Sequence, residues 1–341
     1  MRSVYYKNLG SDARYYDLAY ECFLKRGKSF KVGFNNVPIS NLLDKILDDH
    51  PEIFYASGKG RISQTFFTRE YHLDFDYSPS ETEKISRYLE DVADDIISKV
   101  INDHQSEYDK FLALHDYLKT NVEYDYESYH IIKSYRGLSM RKKSVIEAAN
   151  IIGPLLNKKC VCEGFAKAYK YLCDKIGLEC WVVVGTSIVH RESHAWNIVC
   201  INGYYHHVDV TWDVQDVDSS DFPNYGYFCL SDDEISKDHK WERRYYPAAP
   251  SSPYNYFKVN NSIIDSKAQL ESFFYNSLQN EEEYILFKVV RGSLLEREIS
   301  GCRYEVFKKA LARCKYVKVK DTSTTFIESQ LVYLTKVEYD Y

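Results

Sequence analysis

The sequence lacks the features that would place the chain in a membrane or direct it out of the cell. It has no apolar run long enough to cross a bilayer, and its first twenty residues contain no apolar core of the length that a secretory signal needs. We therefore expect a soluble, cytoplasmic protein. It also lacks a surplus of basic residues, because 44 lysines and arginines stand against 50 acidic residues for a net charge of -6. We accordingly expect neither nucleic acid nor a membrane surface as a partner.

Glycine and proline are also scarce, with 14 and 8 copies in 341 residues, which argues against long disordered segments. A chain of this length can build two or three domains, each with a core of its own. The nine cysteines are odd in number, and they show neither a disulfide framework nor a Cys-x-x-Cys pair. We expect free thiols in a reducing compartment. Nothing in the sequence indicates an oligomeric state.

Residues 159–177, KCVCEGFAKAYKYLCDKIG, have the pattern of a single helix. Apolar or small residues recur at helical spacing from Phe165 to Ile176, and Gly177 stands where a helix would end. Cys162 therefore falls in the first turn. The partial positive charge of the unpaired amide groups there favours the thiolate, which is the nucleophilic form of cysteine.

A second segment, residues 194–213, is predicted to form a β-hairpin. Two apolar-rich runs flank Asn202-Gly203, a strong signal for a tight antiparallel turn. With that turn, His194 and Asp209 project from the same face of the sheet, one diagonal step apart, and a hydrogen bond between them is within reach. Asp213 shares the strand parity of Asp209 and is an alternative partner. It would pair opposite Glu192, near the open end of the hairpin, which favours Asp209.

A cysteine that opens a helix, followed by a histidine and an aspartate on adjacent strands, has the logic of papain-like nucleophilic catalysis. Residues 161–185, the HAWNIV run that begins at His194 and the YYHHVDVTWD run that ends at Asp213 resemble the transglutaminase-like superfamily, specifically its bacterial, peptidase-like branch. The resemblance covers about residues 112–247, including a trailing block at 227–247.

The resemblance implies a role for each residue of a catalytic triad. Cys162 would be the nucleophile, His194 the base, and Asp209 the residue that orients the histidine. It also implies a papain-like core, in which the helix that carries the cysteine packs on an antiparallel sheet. Cys160 stands where the family more often has glycine, which leaves the triad itself undisturbed.

The whole chain is expected to be an α+β protein in three parts. We assign residues 1–78 to an N-terminal α+β domain, 79–247 to the catalytic domain and 248–341 to a C-terminal α+β domain, with the last boundary at the proline-rich segment PAAPSSP. Three local expectations can be checked directly: a turn at residues 58–60, a strand at 254–259, and a strand at 179–186 in the centre of its sheet.

Two chemical alternatives follow from the side chains around the cysteine. A zinc site could be drawn from a set of histidines and thiols: His190, His194, His206, His207, Cys160 and Cys162. His206 and His207 point to opposite faces of one strand, so we expect no metal and no cofactor. An oxyanion hole would combine the backbone N–H of Cys162 with one side-chain donor, for which Asn157, Tyr124 and Tyr126 are open candidates.

The predicted function is thiol-dependent acyl transfer on peptide or protein amides. The peptidase-like resemblance and the lack of an EF-hand-type calcium loop favour hydrolysis, as by a cysteine peptidase or amidase. Two alternatives remain. The chain could cross-link glutamine side chains to amines, or it could be a catalytically silent scaffold that binds a peptide or protein.

Overall fold

The computed structural model describes residues 3–33, 38–134, 142–215 and 223–340. The first part of the chain is α+β, as expected. Its helices and strands follow one another along the chain as α1 Val4–Asn8, α2 Ala13–Leu24, β1 Ser29–Lys31, α3 Ile39–Asp49, β2 Ala56–Gln64 and β3 Arg69–Phe75. The three strands form an antiparallel sheet in the order β1-β3-β2.

The turn expected at residues 58–60 is wrong, because β2 runs straight through it. The register with β3 shifts between Ala56 and Gly60, and this bulge accommodates Gly58 and Gly60 within the strand. A Cβ at Gly60 would lie 2.2 Å from the carbonyl oxygen of His72. The glycine therefore permits close strand approach, and the hairpin turns instead where the Thr65 amide donates to the Thr68 carbonyl at 2.8 Å.

The middle of the chain begins with helices and ends in a sheet. Its elements are α4 Pro79–Val100, α5 Glu107–Asn121, β4 Glu123–Tyr124, α6 Tyr126–Ser134, α7 Lys143–Ala148, a π-helix Gly153–Asn157, β5 Lys159–Cys160, α8 Cys162–Lys175, β6 Cys180–Ser187, β7 Glu192–Ile201, β8 Tyr204–Val208, α9 Val210–Gln215, β9 Phe228–Leu230, α10 Asp232–Ile235 and β10 His239–Trp241. Ser78 caps α4 with a capping box, and Ser106 does the same for α5.

The main sheet has the order β10-β6-β7-β8-β9 and is antiparallel throughout. Its centre is β7, so the expectation that residues 179–186 form the central strand is wrong by one place. The reason is that β10, which comes late in the sequence, adds to the edge of β6. Helix α8 packs on this sheet through Ala166, which meets Val182 and Ala195. The expected core, a cysteine-bearing helix on an antiparallel sheet, is thereby confirmed.

The last part of the chain is a second α+β unit. It contains α11 Tyr256–Val259, β11 Ile263–Ile264, α12 Lys267–Gln279, β12 Tyr284–Val289, α13 Leu294–Arg313, β13 Val319–Ile327 and β14 Val332–Tyr339. The sheet order is β11-β12-β14-β13. The strand expected at 254–259 is wrong, because the side chain of Asn255 accepts the amide of Phe257 and starts a short helix there.

Buried apolar side chains connect these parts. One cluster joins Phe23 and Leu43 of the first part to Phe111 and Tyr169 of the middle. Another joins tryptophans of the middle sheet to Ile327 and other side chains of the last part. Apolar packing thus continues across the predicted domain boundaries at 78 and 247, which remain predictions. Within the described residues, no helix is both long and apolar enough to span a bilayer.

Candidate active site

Cys162 is the first residue of α8, as the sequence predicts. The preceding residue, Val161, is extended and offers no side-chain cap, so the amides of the first turn are left free of such a partner. The Val161 amide donates to the carbonyl of Ala148 at 3.0 Å, which fixes the entry of the helix. Cys162 is partly exposed, whereas Cys160 is buried. The thiol at the helix start is therefore the one that a substrate can reach.

Gly164 allows this helix start to pack closely. A Cβ at this position would lie 2.4 Å from the carbonyl oxygen of Ala148 and 2.7 Å from the Cβ of Cys160. Neither contact is possible without movement of the backbone or of a buried side chain. The glycine two residues after Cys162 thus sets how closely α8 approaches the preceding segment.

His194 and Asp209 meet as the sequence predicts, although the strand that carries the aspartate is shorter than expected. The turn lies at Asn202-Gly203, but the pairing of β7 with β8 ends at Val208. Asp209 follows the strand directly, and its Oδ1 accepts the amide of Trp212 at 3.2 Å as the chain enters α9. Its Oδ2 lies 2.6 Å from Nε2 of His194.

The electrostatics of the histidine favour its charged form. Burial lowers the pKa of His194, but the charge and hydrogen bond of Asp209, followed by those of Cys162, outweigh burial and raise it from 6.5 to about 10. Burial would raise the pKa of Asp209, but His194 and then His239 hold it well below its usual value. Because Nε2 of His194 is committed to Asp209, Nδ1 remains for the thiol. The arrangement suits a thiolate–imidazolium pair supported by a buried carboxylate.

Asp213 is not a partner of His194, and its expected place opposite Glu192 is wrong. The pairing of β7 with β8 ends at Asn197 and Val208, so Asp213 lies in α9 and does not reach the position opposite Glu192. Oδ2 of Asp213 lies 3.0 Å from Nε2 of His115, another buried histidine. The alternation of apolar and polar residues continues past the strand into the helix, which explains the error.

A second histidine approaches the same carboxylate. Nε2 of His239, in β10, lies 3.0 Å from Oδ2 of Asp209, and its Nδ1 lies 2.6 Å from Oδ1 of Asp238. All three side chains are buried. The sequence pointed only to the surrounding block at 227–247 and singled out no residue in it. Asp238 and His239 stand in a strongly charged segment, residues 236–244, which has the composition of an exposed stretch, so the sequence offers no clear signal for their burial.

Within the described residues, one group of side chains is close enough to hold a metal ion, namely His194, Asp209 and His239. The shared carboxylate oxygen lies 2.6 and 3.0 Å from the two ring nitrogens, whereas ligands around a tetrahedral zinc ion stand about 3.3 Å apart. These separations fit hydrogen bonds better than coordination. His207 lies elsewhere, between Trp196 and Asp232.

Asn197 ties the helix to the sheet and was also missed from the sequence, although it belongs to the HAWN motif. It lies in β7, three residues after His194, and is fully buried. Its Nδ2 donates to the carbonyl of Ala166 in α8 at 2.9 Å. This bond links the helix that carries Cys162 to the strand that carries His194.

Cys162 and His194 open onto a cleft of about 600 Å³. Its walls come from the first part of the chain and from α6 and α7, and include Phe54, Ile132 and Ile146. Four carboxylates and two lysines are among the described residues that line it: Asp44, Asp48, Asp76, Glu163, Lys59 and Lys167. The cleft therefore combines apolar walls with an excess of negative charge.

The three oxyanion-hole candidates lie in different settings. Nδ2 of Asn157 donates to Glu147 at 3.0 Å, so this amide is already engaged. Tyr124 pairs with Cys160, two residues before Cys162, in the short parallel ladder of β4 and β5, and its ring contacts Tyr126. The two tyrosines stay candidates for the donor.

Residues 94–210 match the family model of the transglutaminase-like superfamily. This match confirms the resemblance expected from the sequence. Two curated proteins are similar to the chain, the kyphoscoliosis peptidases of Mus musculus and Homo sapiens. The mouse protein is 23% identical over 128 residues, covering 35% of this chain and 18% of its own length. The human protein is 23% identical over 145 residues, covering 38% and 20%. The chain thus spans about a fifth of the curated relatives it matches.

A solved structure described as that of a TGase is also similar, with 16% sequence identity and a TM-score of 0.32. The match covers 56% of this chain and 51% of that one.

Proposed function

From the premise that residues 94–210 form a transglutaminase-like core, we propose that this protein is an enzyme that transfers acyl groups from peptide or protein amides through Cys162. The observation that carries the proposal is the arrangement of three side chains. Cys162 opens α8 and lines the same cleft as His194, whose Nε2 lies 2.6 Å from Oδ2 of the buried Asp209.

The chemistry follows from this geometry. The Cys162 thiolate attacks the amide carbonyl carbon, and the resulting oxyanion is stabilised by the amide groups at the start of α8. The His194 imidazolium gives its proton to the leaving nitrogen, so the C–N bond breaks and a thioester remains on Cys162. His194, now neutral, takes a proton from the incoming nucleophile, which releases the acyl group and restores the thiolate. Asp209 keeps the ring in the orientation that both steps need.

We favour water as the nucleophile of the second step, which makes the enzyme a cysteine peptidase or amidase. The similar curated proteins are named peptidases, which supports this choice. The excess of carboxylates around the cleft supports a second candidate, transfer to a primary amine, because negative charge attracts an ammonium group before it loses its proton.

One experiment separates these functions. The full chain is incubated with an unfolded glutamine-rich protein and a fluorescent primary amine, and both new peptide termini and incorporated amine are measured. We expect new termini that are absent with Cys162→Ala and present with Cys200→Ala, since Cys200 is another partly exposed cysteine. Amine incorporation without cleavage would replace hydrolysis by transamidation.

The scaffold alternative is tested on the same protein without a substrate. Iodoacetamide reacts with the thiolate, and Cys200 serves as an internal reference because burial, its largest influence, raises its pKa. We expect Cys162 to be alkylated at pH 6 at least tenfold faster than Cys200, and His194→Ala to remove the difference. Equal rates for the two cysteines in the unmodified chain would contradict a catalytic role.

A further inference from the structure

His239 lies outside the Cys162–His194–Asp209 set, yet it has an unusual pair of contacts. Each of its ring nitrogens faces a carboxylate oxygen, Nδ1 at 2.6 Å from Asp238 and Nε2 at 3.0 Å from Asp209. A neutral imidazole carries one N–H and could satisfy only one of them. Because the pKa of Asp209 is held well below its usual value, its Oδ2 is an acceptor, and the contact with His239 requires an N–H on Nε2.

The contact with Asp209 falls on the oxygen that His194 uses. Oδ2 accepts from both histidines, while Oδ1 accepts the Trp212 amide. The carboxylate is thus held by three donors, and its plane is fixed by groups on three elements. Without the donor on His239, the oxygen facing His194 would lose one of its two hydrogen bonds. The orientation of the catalytic ring depends on that oxygen.

His239 is itself held in place. Its ring packs against Trp196 and Trp212, with centroids 4.8 and 4.3 Å away. On the far side, Oδ2 of Asp238 accepts the hydroxyl of Tyr227 at 2.9 Å and Nε2 of Gln330 at 3.2 Å. Gln330 belongs to the turn between β13 and β14, so the last part of the chain contributes a donor to this network.

The groups that face His239 come from every element packed around it. They are Asp209 at the end of β8, His194 on β7, Asp238 beside it, Tyr227 before β9 and His207 on β8. Burial lowers the pKa of His207, and the nearby His239 lowers it further. The hydroxyl of Tyr227 also lies 2.8 Å from Oγ of Ser329. The charged partners that bear directly on His239 are therefore the two aspartates.

We propose that His239 is a positioning residue for the thiol chemistry, acting through Asp209 to hold His194 against Cys162. The inference rests on the proposed function, because it gives His239 a task only if Cys162 and His194 react as a pair. His239 does not line the cleft, yet by this proposal it affects the reactivity of the Cys162 thiol, which does.

The test measures alkylation of Cys162 by iodoacetamide as a function of pH in the full chain, so it needs no substrate. His239→Phe keeps a ring of similar size but offers no donor, whereas His239→Gln restores an N–H toward Asp209. We expect His239→Phe to lower the alkylation rate at pH 6 by about tenfold and to move the midpoint of the profile to higher pH, because a hydrogen bond to a charged group is lost. His239→Gln should recover most of the rate.

His207→Phe is the matched control. His207 is equally buried, lies in the same sheet and hydrogen-bonds Trp196 and Asp232, but has no contact with Asp209. Its replacement should lower the thermal unfolding midpoint yet leave the pH profile of Cys162 unchanged. If His207→Phe shifts the profile as far as His239→Phe does, the effect is general packing and the inference is overturned.

The result for His194→Ala separates the two proposals. Slower alkylation in His194→Ala together with an unchanged profile in His239→Phe would overturn the role of His239 and leave the proposed function intact. Unchanged alkylation in His194→Ala would remove both. If His239→Phe does not fold, Asp238→Asn carries the test, because it removes the charge that holds the ring without changing the size of the side chain. We then expect an upward shift of the same sign, and no shift would contradict the proposal.

Discussion

The replacement Asp209→Asn gives the most direct measure of the electrostatics at the site. It keeps the size of the side chain and an oxygen for the Trp212 amide, but it removes the charge that faces His194. The pKa of His194 is raised from its ordinary value of 6.5 to about 10, and Asp209 is the largest contributor that raises it. At about 1.4 kcal/mol per pKa unit, the surroundings of the ring favour its charged form by roughly 4–5 kcal/mol after the opposing effect of burial is included.

The size of the effect on the thiol follows. Without the carboxylate, less opposes the effect of burial on the charged form of His194, so a thiolate at Cys162 loses support from a cationic partner. An ordinary cysteine has about one thiolate in 300 at pH 6. We therefore expect Asp209→Asn to slow alkylation of Cys162 by iodoacetamide on the order of 100-fold at pH 6, and by much less at pH 9, where an ordinary thiol is also ionised.

The chain supplies a matched control for this prediction. Asp213 lies four residues after Asp209. It is also buried, and it also hydrogen-bonds a buried histidine, His115. Asp213→Asn should cost stability of the same order and leave the alkylation profile in place. A profile for Asp209→Asn that superimposes on that of the unmodified chain would refute the reasoning, as would an equal shift in Asp213→Asn.

Three further predictions concern stability and packing. Gly164→Ala should destabilise the fold by about 1–3 kcal/mol in urea unfolding, since its Cβ meets Ala148, whereas Gly301→Ala on α13, which meets nothing within 4 Å, should not. Because folding raises the pKa of His194, the charged ring contributes stability that is complete below pH 6.5 and is lost as the pH rises through 10. The stability of the unmodified chain should thus fall more steeply over that range than that of His194→Gln, and parallel curves would contradict it. Asn197→Ala should cost about 1–2 kcal/mol and slow alkylation of Cys162, because the bond to Ala166 links α8 to β7; an unchanged alkylation rate would show that this bond does not position the thiol.

The parts of the site that could be predicted from the sequence are those set by local interactions. The start of α8 at Cys162 follows from helical periodicity, and the hairpin follows from Asn202-Gly203, both of which adopt positive φ. The contact of His194 with Asp209 could be predicted from that turn together with the two-residue alternation of side chains along a strand. That Cys162 belongs to the same site could be predicted only from the family resemblance, because periodicity does not show which distant residues come together.

The misses arise where distant contacts or competing local signals decide the structure. The segment after Val208 alternates like a strand, but the capping of α9 by Asp209 takes precedence. Aromatic and branched residues near 254–259 favour a strand, yet Asn255 starts a helix. His239 reaches Asp209 only because β10 joins the edge of β6, and no short-range pattern reports the order of strands in a sheet.

Gln330 donates a hydrogen bond to Asp238, so the last part of the chain contacts the polar network behind His194. The turn between the last two strands lies outside the cleft, and yet two of its side chains, Ser329 and Gln330, contact the polar groups behind the imidazole. If His239 acts as proposed, sequence changes in that turn would alter the reactivity of Cys162 and leave the residues that line the cleft unchanged. The rate of the reaction and the choice of substrate could then change independently.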